Sequence, residues 1–423
     1  MTNLSTSDGF ASTDRKPTMQ TKNLETTLAT FTDNQWYCYQ ARQTVFFTAF
    51  SQEPVGMNDL KQMAANLCNL APQLSDCFSP AGATREMSQE VLAEITSLEQ
   101  VETLENYPEN WNMAGTEIFD NPDLPMFRVK AVVLPDGPDN KGRRSAILIL
   151  SIHALFEGAD SALLSRSKSV EREAKVEKPA PKSFWHRIYF TALAAILTPL
   201  QLLGAWILAP RASDVGYRAF SVERAKLRRI AARLNMSQRN LMFAVSTFVL
   251  NDNGKGFSRR KISTMYADLN LASDVQTNDS FFQFRMIGVK FPVSNEFETF
   301  AKTVDTQIAR AEARDLSATQ SLLNAMFAMH RRFYAILPFL YSDRIYRFNA
   351  GYHLTLSLVP PQRLGGELTG QLMEPIYCGT FHPGFNMCVF APGREHMTFN
   401  FSLYSRHLPK VEKIKQLLDQ LDQ

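Results

Sequence analysis

The stretch Ser145–Leu164, SAILILSIHALFEGADSALL, decides how the rest of the chain is read. Between Ser145 and Ser151 lie five consecutive aliphatic residues with no polar alternation, the pattern of a strand covered on both faces. The run ends at His153, so a rigid element aims an imidazole into an interface. Glu157 and Gly158 follow four and five residues later. The glycine permits a tight backbone turn and the acid can orient the loop. Ala159 to Ser165 reads as the start of a helix. A buried strand handing over to a helix is α/β architecture.

Toward the N-terminus, Met126–Leu134 (MFRVKAVVL) reads as a strand and Pro135–Gly142 (PDGPDNKG) as the turn into the next one. A helix starts at Ser88, with Val91, Ile95 and Leu98 at helical spacing. Another is capped at Asn58 and carries Leu60, Met63, Ala64, Leu67 and Leu70 on one face. Thr44–Phe50 (TVFFTAF) has the aromatic and β-branched content of a strand. Order begins near Thr32, just before the aromatic cluster Trp36–Tyr39. Residues 1–30 are polar and Ser/Thr-rich, a disordered lead without the apolar core of a signal peptide. The expected location is therefore cytoplasmic.

Toward the C-terminus, Ser165 to Lys182 is a charged, proline-ended linker, and Phe190–Ala209 is apolar. A second half then opens with a basic amphipathic helix, Val222–Leu234, and a helix starting at Ser237. Strands are expected at Ile262–Asn270, Phe281–Phe291, Tyr352–Val359, Met387–Ala391 and His396–Tyr404. Helices are expected at Phe297–Ala313, Ala318–Arg332 and Val411–Leu421. The chain divides into a lead (1–30), a first subdomain (31–165), a linker with an apolar segment (166–212) and a second subdomain (213–423). The halves are comparable in size, and no short-period repeat is visible.

Composition narrows the function classes. Lys+Arg 45 against Asp+Glu 42 leaves a net charge of +3, which argues for neither a nucleic-acid binder nor an acidic tail. Five scattered cysteines without a C-x-x-C pair read as reduced, buried thiols. His186, His330, His353, His382, His396 and His407 lack ligand spacing with an acid or cysteine, so no metal site is expected. His382, in TFHPGF, reads as a structural turn residue.

Several stretches together resemble one family. Ser151–Leu164 (SIHALFEGADSALL) resembles the HHxxxDG motif of the wax ester synthase/diacylglycerol acyltransferase group. That group belongs to the chloramphenicol acetyltransferase-like superfamily, with the condensation domains of peptide synthetases. Asp123–Leu134 (DLPMFRVKAVVL) is similar to the family's proline-centred lead into the preceding strand. Asn278–Pro292 (NDSFFQFRMIGVKFP) looks like its later strand, and Leu356–Pro361 (LSLVPP) like its Asn-Val-Pro-Gly-Pro turn. Ile152 stands where the family has its first histidine, Glu157 where it has aspartate, Leu358 where it has asparagine, and Pro361 where it has glycine.

The resemblance implies two pseudo-symmetric subdomains, mixed sheets flanked by helices, and an active-site channel between them. It implies an O-acyltransferase using acyl-CoA as co-substrate, with no bound cofactor and a hydrophobic alcohol or lipid as acceptor. His153 would be the general base, supported by Glu157 and Gly158. Asn278, Ser280 and Ser357 are possible oxyanion or channel residues. Such transfer needs one base for the hydroxyl proton and donors for the tetrahedral oxyanion, and no metal or covalent nucleophile. A catalytically degenerate acyl-CoA or lipid-binding protein of the same fold is the alternative, motivated by Ile152, Glu157 and Leu358. Transfer to an amine or a carrier-bound acceptor is another. The residue-level alternative for His153 is a satisfied core histidine.

Phe190–Ala209 (FTALAAILTPLQLLGAWILA) holds no charge over about 30 Å of helix. Pro199 and Gly204 favour a kinked hairpin on the cytoplasmic leaflet, touching lipid through positions such as Phe190, Thr198, Leu203 and Trp206. A helix packed on the protein and a true span are the alternatives. A single span would put the two halves on opposite sides of the membrane.

Overall fold

The run Ser145–Ile152 forms a strand in which all eight residues are buried, as its unbroken apolar pattern predicts. The computed structural model describes residues 31–70, 72–79, 82–84, 87–111, 115–121, 123–139, 141–155, 184–208, 215–251, 261–268, 285–292, 294–313, 317–341, 345, 354–359, 372–382 and 386–423. In chain order the elements are α1 (Asp33–Gln40), β1 (Thr44–Ser51), α2 (Met57–Leu70), β2 (Asp76–Ser79), β3 (Gly82–Thr84), α3 (Gln89–Ile95), β4 (Thr96–Gln100), β5 (Phe127–Val133) and β6 (Ser145–Ile152). After α4 (Phe184–Leu208) come β7 (Val215–Glu223), α5 (Arg224–Arg233), α6 (Gln238–Leu250), β8 (Lys261–Asp268), β9 (Arg285–Pro292), α7 (Phe297–Glu312) and α8 (Ser317–Ile336). Last are β10 (Leu354–Leu358), β11 (Leu372–Phe381), β12 (Met387–Pro392), β13 (His396–Tyr404) and α9 (Lys410–Leu421).

Two mixed sheets organise these elements. The first has the order β11-β1-β6-β5-β4 and the second β7-β13-β12-β10-β8-β9. Helix α2 lays Leu60, Met63, Ala64 and Leu67, all fully buried, into the first core. Helices α6 and α7 cover the second sheet with Leu241, Phe243, Phe300 and Val304. Two elements differ from expectation. Leu98 belongs to β4 rather than to the helix that Ser88 caps, because α3 ends at Ile95 and Thr96 pairs in parallel with Val129 of β5. Strand pairing here overrides the i,i+3 spacing. Ahead of the basic helix lies β7, antiparallel to β13, at the start of the second subdomain, where no strand was expected.

The strand β11, also unexpected, positions the site. It comes from the second half of the chain yet forms the edge of the first sheet, antiparallel to β1. Its sequence contains Glu374 and Pro375, which read as strand breakers. The register shift between Thr48 and Phe50 of β1 falls opposite this dipeptide, so Pro375 occupies an irregularity where its missing N–H costs no ladder bond. The Glu374 carboxylate accepts hydrogen bonds from the backbone N–H groups of Arg394, Glu395 (2.9 Å) and His396 (3.2 Å), tying β11 to the β12–β13 turn. Gly393 allows that approach, since a Cβ there would lie 2.8 Å from the carboxylate. Where the sheets meet, Phe46 of β1 packs edge-on against Tyr217 of β7 at 4.9 Å. The Tyr217 hydroxyl lies 2.9 Å from Asn400 Oδ1.

The apolar segment is one continuous helix with Pro199 inside it, not a hairpin. Ala194, Thr198, Leu202 and Ala205 form a buried stripe at helical spacing that packs on α8, and this support carries the helix through the proline. Three hydrogen bonds fasten it to α8 and the segment just after it. His186 Nε2 lies 3.2 Å from Ser321 Oγ, Gln201 Oε1 lies 3.3 Å from His330 Nε2, and Trp206 Nε1 donates to Leu340 O at 3.1 Å. By length and composition α4 could cross a membrane. Its two flanks, however, join one body: β1, which pairs with β6 before the helix, meets β7 after it through Phe46 and Tyr217. A single crossing is incompatible with that join.

The outer face of α4 is exposed and apolar. Leu200, Leu203 and Ile207 are 58%, 57% and 68% exposed, and the neighbouring Phe339 is 74% exposed. Leu203 and Trp206 face outward as expected. Phe190 is partly buried beside His186, and Thr198 is fully buried, which corrects its assignment as a lipid-contact position. The basic helix α5 is turned toward the C-terminal helix, with Lys226 paired to Asp419 and Arg229 to Asp422.

Candidate active site

His153 follows directly on β6. Strand β1 runs antiparallel to both β6 and β11, so those two strands run the same way and end at the same rim of the sheet. Thr44 is aligned with Ile152 on one side and Phe381 on the other. One step further along this register, Gln43 of the α1–β1 connection lies between His153 and His382. The His153 N–H donates to Gln43 O at 2.9 Å, which carries the ladder one pair beyond β6. Two strand spacings of ~4.8 Å separate the two histidine backbones.

The turn that carries His153 is held on each side. Ile152 N–H donates to Met126 O at 3.2 Å, and Leu155 N–H closes back on Ile152 O at 3.2 Å. The Gln35 side-chain amide donates to Ala154 O at 3.0 Å from within the core. Ile152 is itself fully buried, so position 152 contributes packing rather than a second polar ring.

His153 is half-buried, in dense protein surroundings. Burial pushes its imidazole down to about 4, so the ring is neutral at cellular pH. His382 is almost wholly buried, and burial, then the neighbouring His153, pushes it down to about 3. The thiol of Cys378 on β11 is pushed up to about 12 by burial, which keeps it from thiolate chemistry. The rim thus presents two neutral imidazoles and no activated sulfur nucleophile among its described residues. A neutral imidazole half-open to solvent can take a proton from a hydroxyl and return it to a leaving group.

Ser357 sits buried on β10, paired with Val389 of β12 and Ala267 of β8 in the second sheet. Glu157, Gly158, Asn278 and Ser280 lie outside the described residues. His382 was read from the sequence as a turn residue, and the structure brings it to the same rim as His153. Recognising β11 would have been the only route to it, because nothing in TFHPGF itself points across the sheet.

No protein-family model matches the chain, and no curated protein sequence matches it. Solved structures do. The trichothecene 15-O-acetyltransferase from Fusarium sporotrichioides superposes with a TM-score of 0.57 at 11% identity, covering 93% of this chain and 94% of that one. The wax ester synthase/diacylglycerol acyltransferase from Marinobacter aquaeolei VT8 superposes with a TM-score of 0.52 at 13% identity, over 90% and 92% of the two chains. The first condensation domain of the CDA synthetase superposes with a TM-score of 0.51 at 12% identity, over 93% and 95%. At these identities the likeness is one of fold. The chain has the two-subdomain, mixed-sheet fold of chloramphenicol acetyltransferase-like acyltransferases and condensation domains.

Proposed function

We propose that this protein is an acyl-CoA-dependent O-acyltransferase that moves an acyl group from a thioester to a hydrophobic alcohol or diacylglycerol-like acceptor. The observation that carries the reading is His153, a neutral, half-buried imidazole at the end of a central strand, two strands from the one that crosses over from the other half of the chain. In this reading His153 Nε2 accepts the acceptor's hydroxyl proton as the oxygen attacks the thioester carbonyl carbon. The tetrahedral oxyanion collapses, the C–S bond breaks, and the CoA thiolate takes the proton back from the imidazolium. Ester and free thiol are the products, and holding the two substrates together supplies much of the rate. Ser357 is the described residue we assign to oxyanion donation or the channel wall, with Asn278 and Ser280 as further donors and Glu157 and Gly158 shaping the loop after His153.

The outer face of α4 is assigned to the cytoplasmic face of a membrane, where a lipidic acceptor would reside. It joins exposed leucine and isoleucine with Trp206 and Phe339, and Arg187 lies near its start. Lys substitutions at Leu203 and Ile207 together should lower binding to anionic phospholipid vesicles about tenfold, read by co-sedimentation. Unchanged binding removes the membrane assignment.

The decisive assay is CoA release from long-chain acyl-CoA over a panel of alcohols. Wild type should release CoA in an acceptor-dependent manner and His153→Ala should not; equal rates in the two dispose of the base. The second reading, a binding protein of the same fold, gains from the low proton affinity of the buried ring, since a weaker base accelerates less. It expects acyl-CoA to bind with no turnover of any acceptor.

A further inference from the structure

We propose that Gln35, in the first helix, is a positioning residue for His153, fixing the turn that presents the imidazole. The inference rests on the reading of His153 as the base. The α1–β1 unit grips that turn at two successive residues. Gln43 O receives the N–H of His153 at 2.9 Å, and the side-chain amide of Gln35 donates to the carbonyl of Ala154 at 3.0 Å.

The helix that bears this grip is fixed at both ends. At its start, Thr32 and Gln35 form a reciprocal cap. Gln35 N–H donates to Thr32 Oγ1 at 3.3 Å, while Gln35 Oε1 accepts from Thr32 N–H at 3.0 Å and from the Thr32 hydroxyl at 3.1 Å. At its end, Arg42 takes the left-handed conformation (φ 49). Arg42 N–H then donates to Tyr39 O and Gln43 N–H to Cys38 O, the hydrogen-bond pair of a Schellman stop. Gln43 is thereby delivered beside His153. From behind, Trp36 and Tyr37 pack on Tyr334 and Phe327 of α8.

The amide orientation follows from its partners. Ala154 O can only accept, so the NH2 group faces it and the carbonyl oxygen faces Thr32. The cap alone does not require glutamine. A glutamate would cap equally well but, once ionised, could not donate to Ala154. Position 35 therefore separates two roles within one side chain, capping through its oxygen and holding the catalytic turn through its nitrogen.

The test is the pH dependence of kcat between pH 5 and 8 for wild type and Gln35→Glu, with Ser88→Ala, which removes the cap of α3, as a stability control. Wild type and Ser88→Ala should give flat profiles at comparable rates. Gln35→Glu should be slower by about 10- to 100-fold at pH 8, as expected for a misplaced catalytic group, with the KM for acyl-CoA within about threefold. Its rate should recover toward pH 5, because a protonated carboxyl can again donate to Ala154 O. A rate equal to wild type at pH 8, or a loss that does not recover in acid, overturns the proposal. Should Gln35→Glu fail to fold, Gln35→Met serves: a deficit at every pH supports the proposal and a wild-type rate overturns it. If wild type shows no His153-dependent transfer, the base reading fails by itself. Gln35 is then judged by the His153 imidazole resonances, which should move with the titration of Glu at position 35; invariant resonances overturn the proposal.

Discussion

His153 and His330 are both pushed down to about 4 by burial, yet they stand in opposite kinds of surroundings. His330 is sealed inside the contact between α8 and α4. Its Nδ1 lies 3.0 Å from the Tyr341 hydroxyl, and its Nε2 lies 3.3 Å from Gln201 Oε1. In a neutral ring the Tyr341 hydroxyl donates to Nδ1 while the Nε2–H donates to Gln201, so both nitrogens serve the fold. His153 sits half-buried at a strand end, gripped through the backbone of its own turn. Equal pKa shifts thus accompany unequal surroundings, and in the proposed function unequal roles. What separates a base from a brace is where the ring opens, not how far its proton affinity has fallen.

The largest expected effect breaks the comparison if the roles are reversed. His153→Gln should lower kcat/KM for acyl transfer by about 10²- to 10⁴-fold, the usual worth of a general base. His330→Gln should leave it within about threefold. Stability should show the opposite ranking. His330→Ala opens a cavity and removes the hydrogen bonds to Tyr341 and Gln201, at a cost of about 2–4 kcal/mol in urea unfolding. His153→Ala should cost about 1 kcal/mol or less.

Acid sharpens the comparison. The unfolded chain protonates its histidines near pH 6.5, whereas folded His153, His330 and His382 resist until about 4, 4 and 3. Between those values the unfolded state binds more protons. The stability is therefore fully present above pH ~6.5 and is lost as pH falls toward 4, with His330 contributing on the order of 3 kcal/mol. A His330→Phe variant should have a visibly flatter pH–stability curve, and a curve matching wild type would contradict this. The smallest effect concerns the grip on His153. Arg42→Gly relieves a left-handed residue at the end of α1 and should raise stability by about 0.5–1 kcal/mol without altering kcat, read by thermal melting.

Much of this arrangement was legible in the chain. The strand Ser145–Ile152, the apolar face of α2 and the Ser237 cap of α6 follow from periodicity and local hydrogen bonding, which act within a few residues. The strand β11 was not legible. Pro375 and Glu374 look like breakers until the register irregularity and the backbone N–H groups at 394–396 are in place, and both depend on residues distant in sequence. The place of His382 at the rim beside Gln43 was hidden for the same reason. Gln35 was equally hidden, because a Thr-x-x-Gln cap is ordinary in sequence and its second hydrogen bond spans 119 residues. In α4, Pro199 suggested a hairpin, but its buried stripe against α8 keeps one helix.

The central claim is that the imidazole of His153 moves the proton in acyl transfer. Quantifying ester and free CoA together, from long-chain acyl-CoA and an aliphatic alcohol, tests it most directly. The account predicts one ester per CoA released by wild type and neither product above background with His153→Ala. Ester formed at the same rate by both proteins would contradict it.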